Sequence, residues 1–145
     1  MIAAQRESRY GVITVQARDL FDEVDLMGQV VADTMGAVQF TGIGGQVDFV
    51  RGAARSRDGK AIIALPATAK KGAVSRIVAG LATGTAVTTM RADTDYIVTE
   101  HGVAHLRGMG LRERAEALIE IADPAFRDQI REEAATVYGP GRLTR

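Results

Sequence analysis

The chain has 145 residues, enough for one domain with a buried core, and 46% hydrophobic against 25% charged residues is the composition of an ordinary globular protein. Lys plus Arg and Asp plus Glu both total 18, so the basic excess that phosphate neutralisation demands of a nucleic-acid binder is missing. No cysteine is present, which excludes a disulfide framework, a thiol nucleophile and a thiolate metal site; with only His101 and His105, a metal would have to lean on carboxylates.

No apolar run approaches the roughly 18 residues of a membrane span. Met1-Ile2-Ala3-Ala4-Gln5-Arg6-Glu7 has no signal-peptide core after its charges. The cytoplasm is therefore the expected compartment. Only 5% of residues are aromatic, which argues against a stacking surface for bases or sugars.

Residues 1–21 carry mixed charge without a sustained period and are expected to form an atypical, poorly ordered segment, with the domain proper over 22–145. Val38-Gln39-Phe40-Thr41 reads as a strand, followed by glycines and a helix over Gln46 to Ala54 with Val47, Val50 and Ala54 on one face. Ile62-Ile63-Ala64-Leu65, Thr85-Ala86-Val87-Thr88-Thr89 and Tyr96-Ile97-Val98-Thr99 read as short buried strands, while Val74 to Leu81 fits strand or helix equally. Near-continuous apolarity in these runs predicts an α/β fold with a mostly parallel sheet flanked by helices. Leu111, Ala115, Leu118 and Ala122 fall at helical spacing; a second helix starts at Asp123-Pro124, buries Phe126, Ile130 and Ala134, and stops at Gly139-Pro140.

Three segments could carry chemistry. Thr41-Gly42-Ile43-Gly44-Gly45-Gln46 leads from a strand into a helix, where exposed amides and partial positive charge favour an anion. Val47 stands where a dinucleotide fingerprint needs glycine, and no Gly-Lys-Ser/Thr follows, so the turn either holds an oxyanion or phosphate or is only a tight connection. Leu65-Pro66-Ala67-Thr68-Ala69-Lys70-Lys71 follows a strand with a loop bearing two lysines, which by itself is a solvated loop. Tyr96-Ile97-Val98-Thr99-Glu100-His101-Gly102 places a carboxylate and an imidazole just past a buried strand, where ligands of open α/β sheets bind. Neighbouring residues at a strand end point opposite ways, so one of Glu100 and His101 is expected to face a site. His105 and Arg107 are expected to pack or pair locally, and Arg91 to Asp95 to form a charge-compensated turn.

In order along the chain, Gly42-Ile43-Gly44-Gly45-Gln46-Val47-Asp48-Phe49-Val50-Arg51-Gly52-Ala53, Ala64-Leu65-Pro66-Ala67-Thr68-Ala69, Val87-Thr88-Thr89, Val98-Thr99-Glu100-His101-Gly102-Val103-Ala104-His105-Leu106-Arg107-Gly108 and Leu111-Arg112-Glu113-Arg114-Ala115 resemble the carboxy-terminal domain of the acetyl-CoA hydrolase/transferase family. The likeness runs over about residues 22–137. It implies an α/β fold of the CoA-transferase (NagB/RpiA-like) type and ping-pong chemistry on short-chain acyl-CoA, of the acetyl-CoA or 4-hydroxybutyryl-CoA class. There a glutamate carboxylate attacks the thioester and an enzyme-bound glutamyl-CoA carries CoA to the acceptor acid. The resemblance assigns the oxyanion hole to Gly45, the acyl site to Glu100, and CoA binding to Gly44, Gly45 and Lys70, with coenzyme A as substrate and no tightly bound cofactor or metal.

The family's nucleophilic glutamate lies upstream of the matched region. Of the two upstream glutamates, Glu7 stands in no matching motif and Glu23 falls in Asp22-Glu23-Val24-Asp25, a different family segment. Gln16-Ala17-Arg18-Asp19-Leu20-Phe21 stands where the family has an Asn-containing stretch. The expected partners are coenzyme A or acyl-CoA and small carboxylates, with a missing N-terminal half or self-association, and neither nucleic acid nor membrane. The chain reads as a module inactive alone, as one subunit of a split enzyme completed in trans, or as a non-catalytic CoA-binding or interaction protein.

Overall fold

A computed structural model describes residues 22–143 and, as backbone only, 3–7 and 12–16. In chain order come β1 (Ala3–Glu7), β2 (Val12–Gln16), β3 (Glu23–Asp25), β4 (Val30–Val31), β5 (Thr34–Met35), β6 (Val38–Gln39), α1 (Gln46–Arg55), β7 (Lys60–Ala64), β8 (Thr68–Ala69), β9 (Val74–Ser75), β10 (Ile77–Val78), β11 (Tyr96–Thr99), β12 (Gly102–His105), α2 (Leu111–Ile121) and α3 (Arg127–Tyr138). Most of the segment set apart as 1–21, including all of 17–21, lies outside the described residues.

The main sheet has the order β1-β2-β7-β11-β12. Its central pairs β2–β7 and β7–β11 are parallel, whereas β1–β2 and β11–β12 are antiparallel hairpins at the two edges. The sheet is thus mixed, where a mostly parallel one was expected. The reason is local: parallel neighbours need a long crossover, but two residues separate β11 from β12, and that permits only antiparallel return. Smaller sheets join β10-β3-β4, β5-β6 and β8-β9.

Register decides which face is buried. Ile63 pairs with Ile97 and Ile97 with Ala104, so these side chains share the face that meets Val50 and Ala53 of α1 and Ala115, Leu118 and Ile119 of α2. On the opposite face Ile62, Tyr96 and His105 stand in register, and Val98 pairs with the exposed Val103. The expected flanking by helices holds, among the described residues, on one face.

Two expectations about elements are corrected. No strand forms over Thr85–Thr89; only Thr89 makes a bridge, to Val30. The Val30 carbonyl accepts from the Thr88 and Thr89 amides at 2.9 and 3.0 Å, and the Thr88 hydroxyl accepts from the Ala32 amide, so this segment is satisfied by β4 and its loop rather than by a ladder. In α1 the buried stripe is Gln46, Val50 and Ala53, one step round from the Val47, Val50 and Ala54 expected from hydrophobicity. Val74 to Leu81 resolves as β9 and β10. The late helices form where periodicity puts them, with Asp123 accepting from the Ala125 amide at 2.9 Å to start the Pro124–Phe126 turn.

The ten residues of α1 span about 15 Å and the five of β7 about 16 Å. The connection 56–59 reverses the chain between them, which sets the start of α1 beside the end of β7. At Gly59 a Cβ would lie 1.9 Å from the Ala53 carbonyl oxygen, so only glycine admits this return. Gly59→Ala is expected to destabilise the fold by about 1–3 kcal/mol; urea unfolding reads this, and an unchanged midpoint would contradict the close approach.

Candidate functional site

Because β7 and β11 run parallel side by side, the loops that follow them leave at the same edge of the sheet. Glu100 lies in the turn after β11, and its Oε2 accepts from the Ala67 amide at 2.8 Å, in the loop after β7. Thr99 fixes that turn: its hydroxyl donates to the Ile121 carbonyl at 2.5 Å, satisfying one of the carbonyls left open at the end of α2, and accepts from the His101 amide at 3.1 Å. Glu100 and His101 do point apart, for His101 Nε2 lies 3.6 Å from Asp123. His105 stacks on Tyr96 at 4.3 Å, and both His105 and Arg107 lie 3.2 Å from Asp95, which is the local pairing expected of them. Arg91 to Asp95 forms a turn, but its acids are compensated from elsewhere, Asp93 by Arg51 at 2.9 Å.

Lys70 follows β8, a few residues beyond Ala67. Both Lys70 (φ 49°) and Lys71 (φ 59°) adopt the left-handed conformation, which side-chain-bearing residues avoid, at a cost of order 1–3 kcal/mol each. Lys70 lines a cleft of about 150 Å³ with Asp22, Glu23, Gly36, Ser75 and Arg76. Arg76 is buried against Asp22 at 3.6 Å. That cleft includes neither Gly45 nor Glu100.

The glycine turn reaches that edge from the start of α1. Gly44 has φ 60°, a value that glycine alone takes freely, and Gly45 precedes the helix with φ −96°. Gly45 gives its carbonyl to the Phe49 amide at 3.0 Å, but among the described residues neither the Gly44 nor the Gly45 amide donates to any group. Unused amides at a helix start are donors of the kind that a negatively charged oxygen can take. A Cβ on Gly45 would lie 3.2 Å from the Phe49 ring, so the absence of a side chain here keeps that ring in place. Phe40, Ile43 and Phe49 surround the turn and are about half exposed.

Sequence reasoning missed the support beneath this turn. Gln46, only 2% exposed, donates its side-chain amide to the Thr89 hydroxyl at 2.9 Å. The Phe40 and Thr41 amides donate to the Asp33 carbonyl, and the Asp33 carboxylate receives the Thr88 hydroxyl. The one available signal was a glutamine beginning a helix whose next turn is apolar. Among the described residues no group of three or more His, Asp or Glu is placed to hold a metal, and no helix is long and apolar enough to cross a membrane.

With this geometry in view, comparison with known proteins is specific. The model of the acetyl-CoA hydrolase/transferase C-terminal domain matches residues 8–134, and the chain belongs to that family. The 4-hydroxybutyrate coenzyme A transferase of Clostridium kluyveri is 60% identical over 111 residues, covering 77% of this chain and 26% of that protein. The succinyl-CoA:cyclohexane-1-carboxylate CoA transferase of Geobacter metallireducens is 53% identical over 112 residues, with the same coverage of 77% and 26%. RipA from Yersinia pestis superposes with a TM-score of 0.75 at 45% identity, over 86% of this chain and 27% of its own. The chain spans about a quarter of the length of the curated relatives it matches.

Burial, and then the charge of Asp25, raise the Glu23 carboxyl above its ordinary 4.5. Burial likewise raises Asp25, against the hydrogen bonds from Gln29, Met27 and Gly28 that lower it. An acid raised by folding favours the native state while protonated, and that stability is lost as pH climbs from the unfolded value through the folded one. Glu23→Gln, which carries no charge, should therefore gain in melting temperature over the unaltered chain as pH rises above the ordinary 4.5 of this carboxyl. A difference independent of pH would show that Glu23 ionises in the fold as it does in water.

Proposed function

We propose that this chain forms one wall of a CoA-transferase site for short-chain acyl-CoA and small carboxylates. In that site the nucleophilic glutamate comes from residues outside these 145, on the same polypeptide or another. The observation that carries the proposal is the pair of unused amides at Gly44 and Gly45, at the sheet edge where Glu100 also stands. Coenzyme A is substrate and product here, not a resident group.

The division of labour follows from the chemistry of the thioester. The glutamate oxygen bonds to the thioester carbonyl carbon, whose oxygen takes the negative charge; preorganised donors at that oxygen lower the barrier because they are already in place when the charge develops. The C–S bond then breaks, leaving an acyl-glutamyl anhydride and CoA thiolate. The thiolate attacks the glutamyl carbonyl, releasing the first carboxylate and leaving glutamyl-CoA, and the acceptor carboxylate reverses these steps. Gly45 is the donor for the oxyanion in each tetrahedral stage. Glu100, held by the Ala67 amide, borders the acyl group, and Lys70 offers a cation to a phosphate or to the pantetheine carbonyls. The names of the relatives, which act with 4-hydroxybutyrate and cyclohexane-1-carboxylate, support a carboxylate acceptor.

Purified chain incubated with acetyl-CoA and 4-hydroxybutyrate is expected to transfer no CoA. Adding a polypeptide equivalent to the unmatched three-quarters of the Clostridium kluyveri relative should restore transfer. In the restored enzyme Gly45→Ala keeps the amide but sets a Cβ 3.2 Å from the Phe49 ring, and displacing the donor in this way should lower kcat by up to roughly 100-fold. Transfer by the chain alone, lost in Gly45→Ala, would overturn the external nucleophile; CoA binding with no restored transfer would favour a non-catalytic binding module.

A further inference from the structure

The glycine turn has little packing of its own. A Cβ at Gly42 or Gly44 would meet nothing within 4 Å, and residues 40–44 are exposed. A loop so open should sample many directions, and amides that must meet one oxygen need a fixed direction. Both of its ends, however, are tied to one buried element. At the entry, the Phe40 and Thr41 amides donate to the Asp33 carbonyl at 2.9 and 3.3 Å. At the exit, the Gln46 side chain donates to the Thr89 hydroxyl at 2.9 Å.

The two ties meet in the Thr88–Thr89 pair. Thr88 donates its hydroxyl to the Asp33 carboxylate and accepts from the Ala32 amide at 2.8 Å; the Thr88 and Thr89 amides both donate to the Val30 carbonyl. Gln46, Thr88, Thr89 and Asp33 are all at least 95% buried. Burying four polar side chains gains little over apolar packing, and any one left unsatisfied would weaken the fold. What a satisfied network supplies that apolar packing does not is direction.

We propose that Gln46, Thr89, Thr88 and Asp33 are positioning residues that fix where the Gly44 and Gly45 amides point. This rests on the oxyanion reading of the turn, but the support itself is testable without any CoA chemistry. Thr89→Val keeps the shape of the side chain and removes the hydroxyl, Gln46→Met keeps the length and removes the amide, and Thr89→Ser restores the hydroxyl.

The amide resonances of Gly42, Gly44 and Gly45 in the labelled chain report the direction of the turn, with those of Ile63 and Ile97 as the check on the fold. Thr89→Val and Gln46→Met should each move the glycine resonances and leave the sheet in place. The double variant should match either single one, because both act through one bond. Thr89→Ser should return the resonances to their places. Should Thr89→Val fail to fold, Gln46→Met tests the same bond from the other end. In the enzyme completed with its nucleophile, either variant should lower kcat by roughly 10- to 100-fold with KM within about two-fold, since misplaced donors weaken the transition state rather than the ground state. Unmoved glycine resonances in both variants, or a serine variant that behaves like valine, would overturn the proposal. Moved resonances with an unchanged kcat would uphold the support and sink the oxyanion role of Gly45.

Discussion

The parallel pairing of β7 with β11 is the constraint on which the rest depends. Ile63 and Ile97 stand in register beneath α1 and α2, and a slip by one residue would turn one of them away from the face the other occupies. With that register fixed, the two following loops leave the sheet side by side, and the Ala67 amide meets the Glu100 carboxylate. A carboxylate accepting a backbone amide is held more firmly than one in solvent, yet Glu100 remains exposed and keeps acceptor capacity for a ligand. The return of α1 onto β7 through Gly59 adds the third participant, the helix start with its glycine turn.

The two faces of the main sheet differ in a way that matters for assembly. One is sealed by α1 and α2, while on the other Ile62, Ala64, Tyr96 and Val98 are only partly buried by the described residues and Val103 is 62% exposed. Phe40, Ile43 and Phe49 form a second partly exposed apolar group around the glycine turn. Apolar surface of this kind is ordinarily covered by a further protein surface. That agrees with a chain matching about a quarter of its relatives' length.

Much of this was legible in the sequence, and the failures have identifiable causes. The helices over 111–121 and 127–138 follow from periodicity and from Asp123-Pro124, signals that lie within each helix itself. β7 and β11 follow from short β-branched runs. The Thr85–Thr89 run looked the same but was captured by the Val30 carbonyl, a partner 58 residues away from Thr88 that no local pattern announces. Gln46 defeated a reading based on apolar faces because its partner, Thr89, lies 43 residues on. The positions of Gly45, Lys70 and Glu100 came from resemblance to a family; what the coordinates add is the unused amides, the left-handed lysines and the Ala67 contact.

The central claim is that the glycine turn, the Ala67–Lys70 loop and Glu100 together form the edge that meets acyl-CoA. Backbone amide resonances followed while the isolated chain is titrated with coenzyme A test it most directly, because binding needs no nucleophile. The account predicts shifts confined to Gly44, Gly45, Ala67 to Lys70 and Glu100, with the partly covered sheet face silent. Shifts centred instead on Tyr96, Val98 and His105, or none at any CoA concentration, would contradict it.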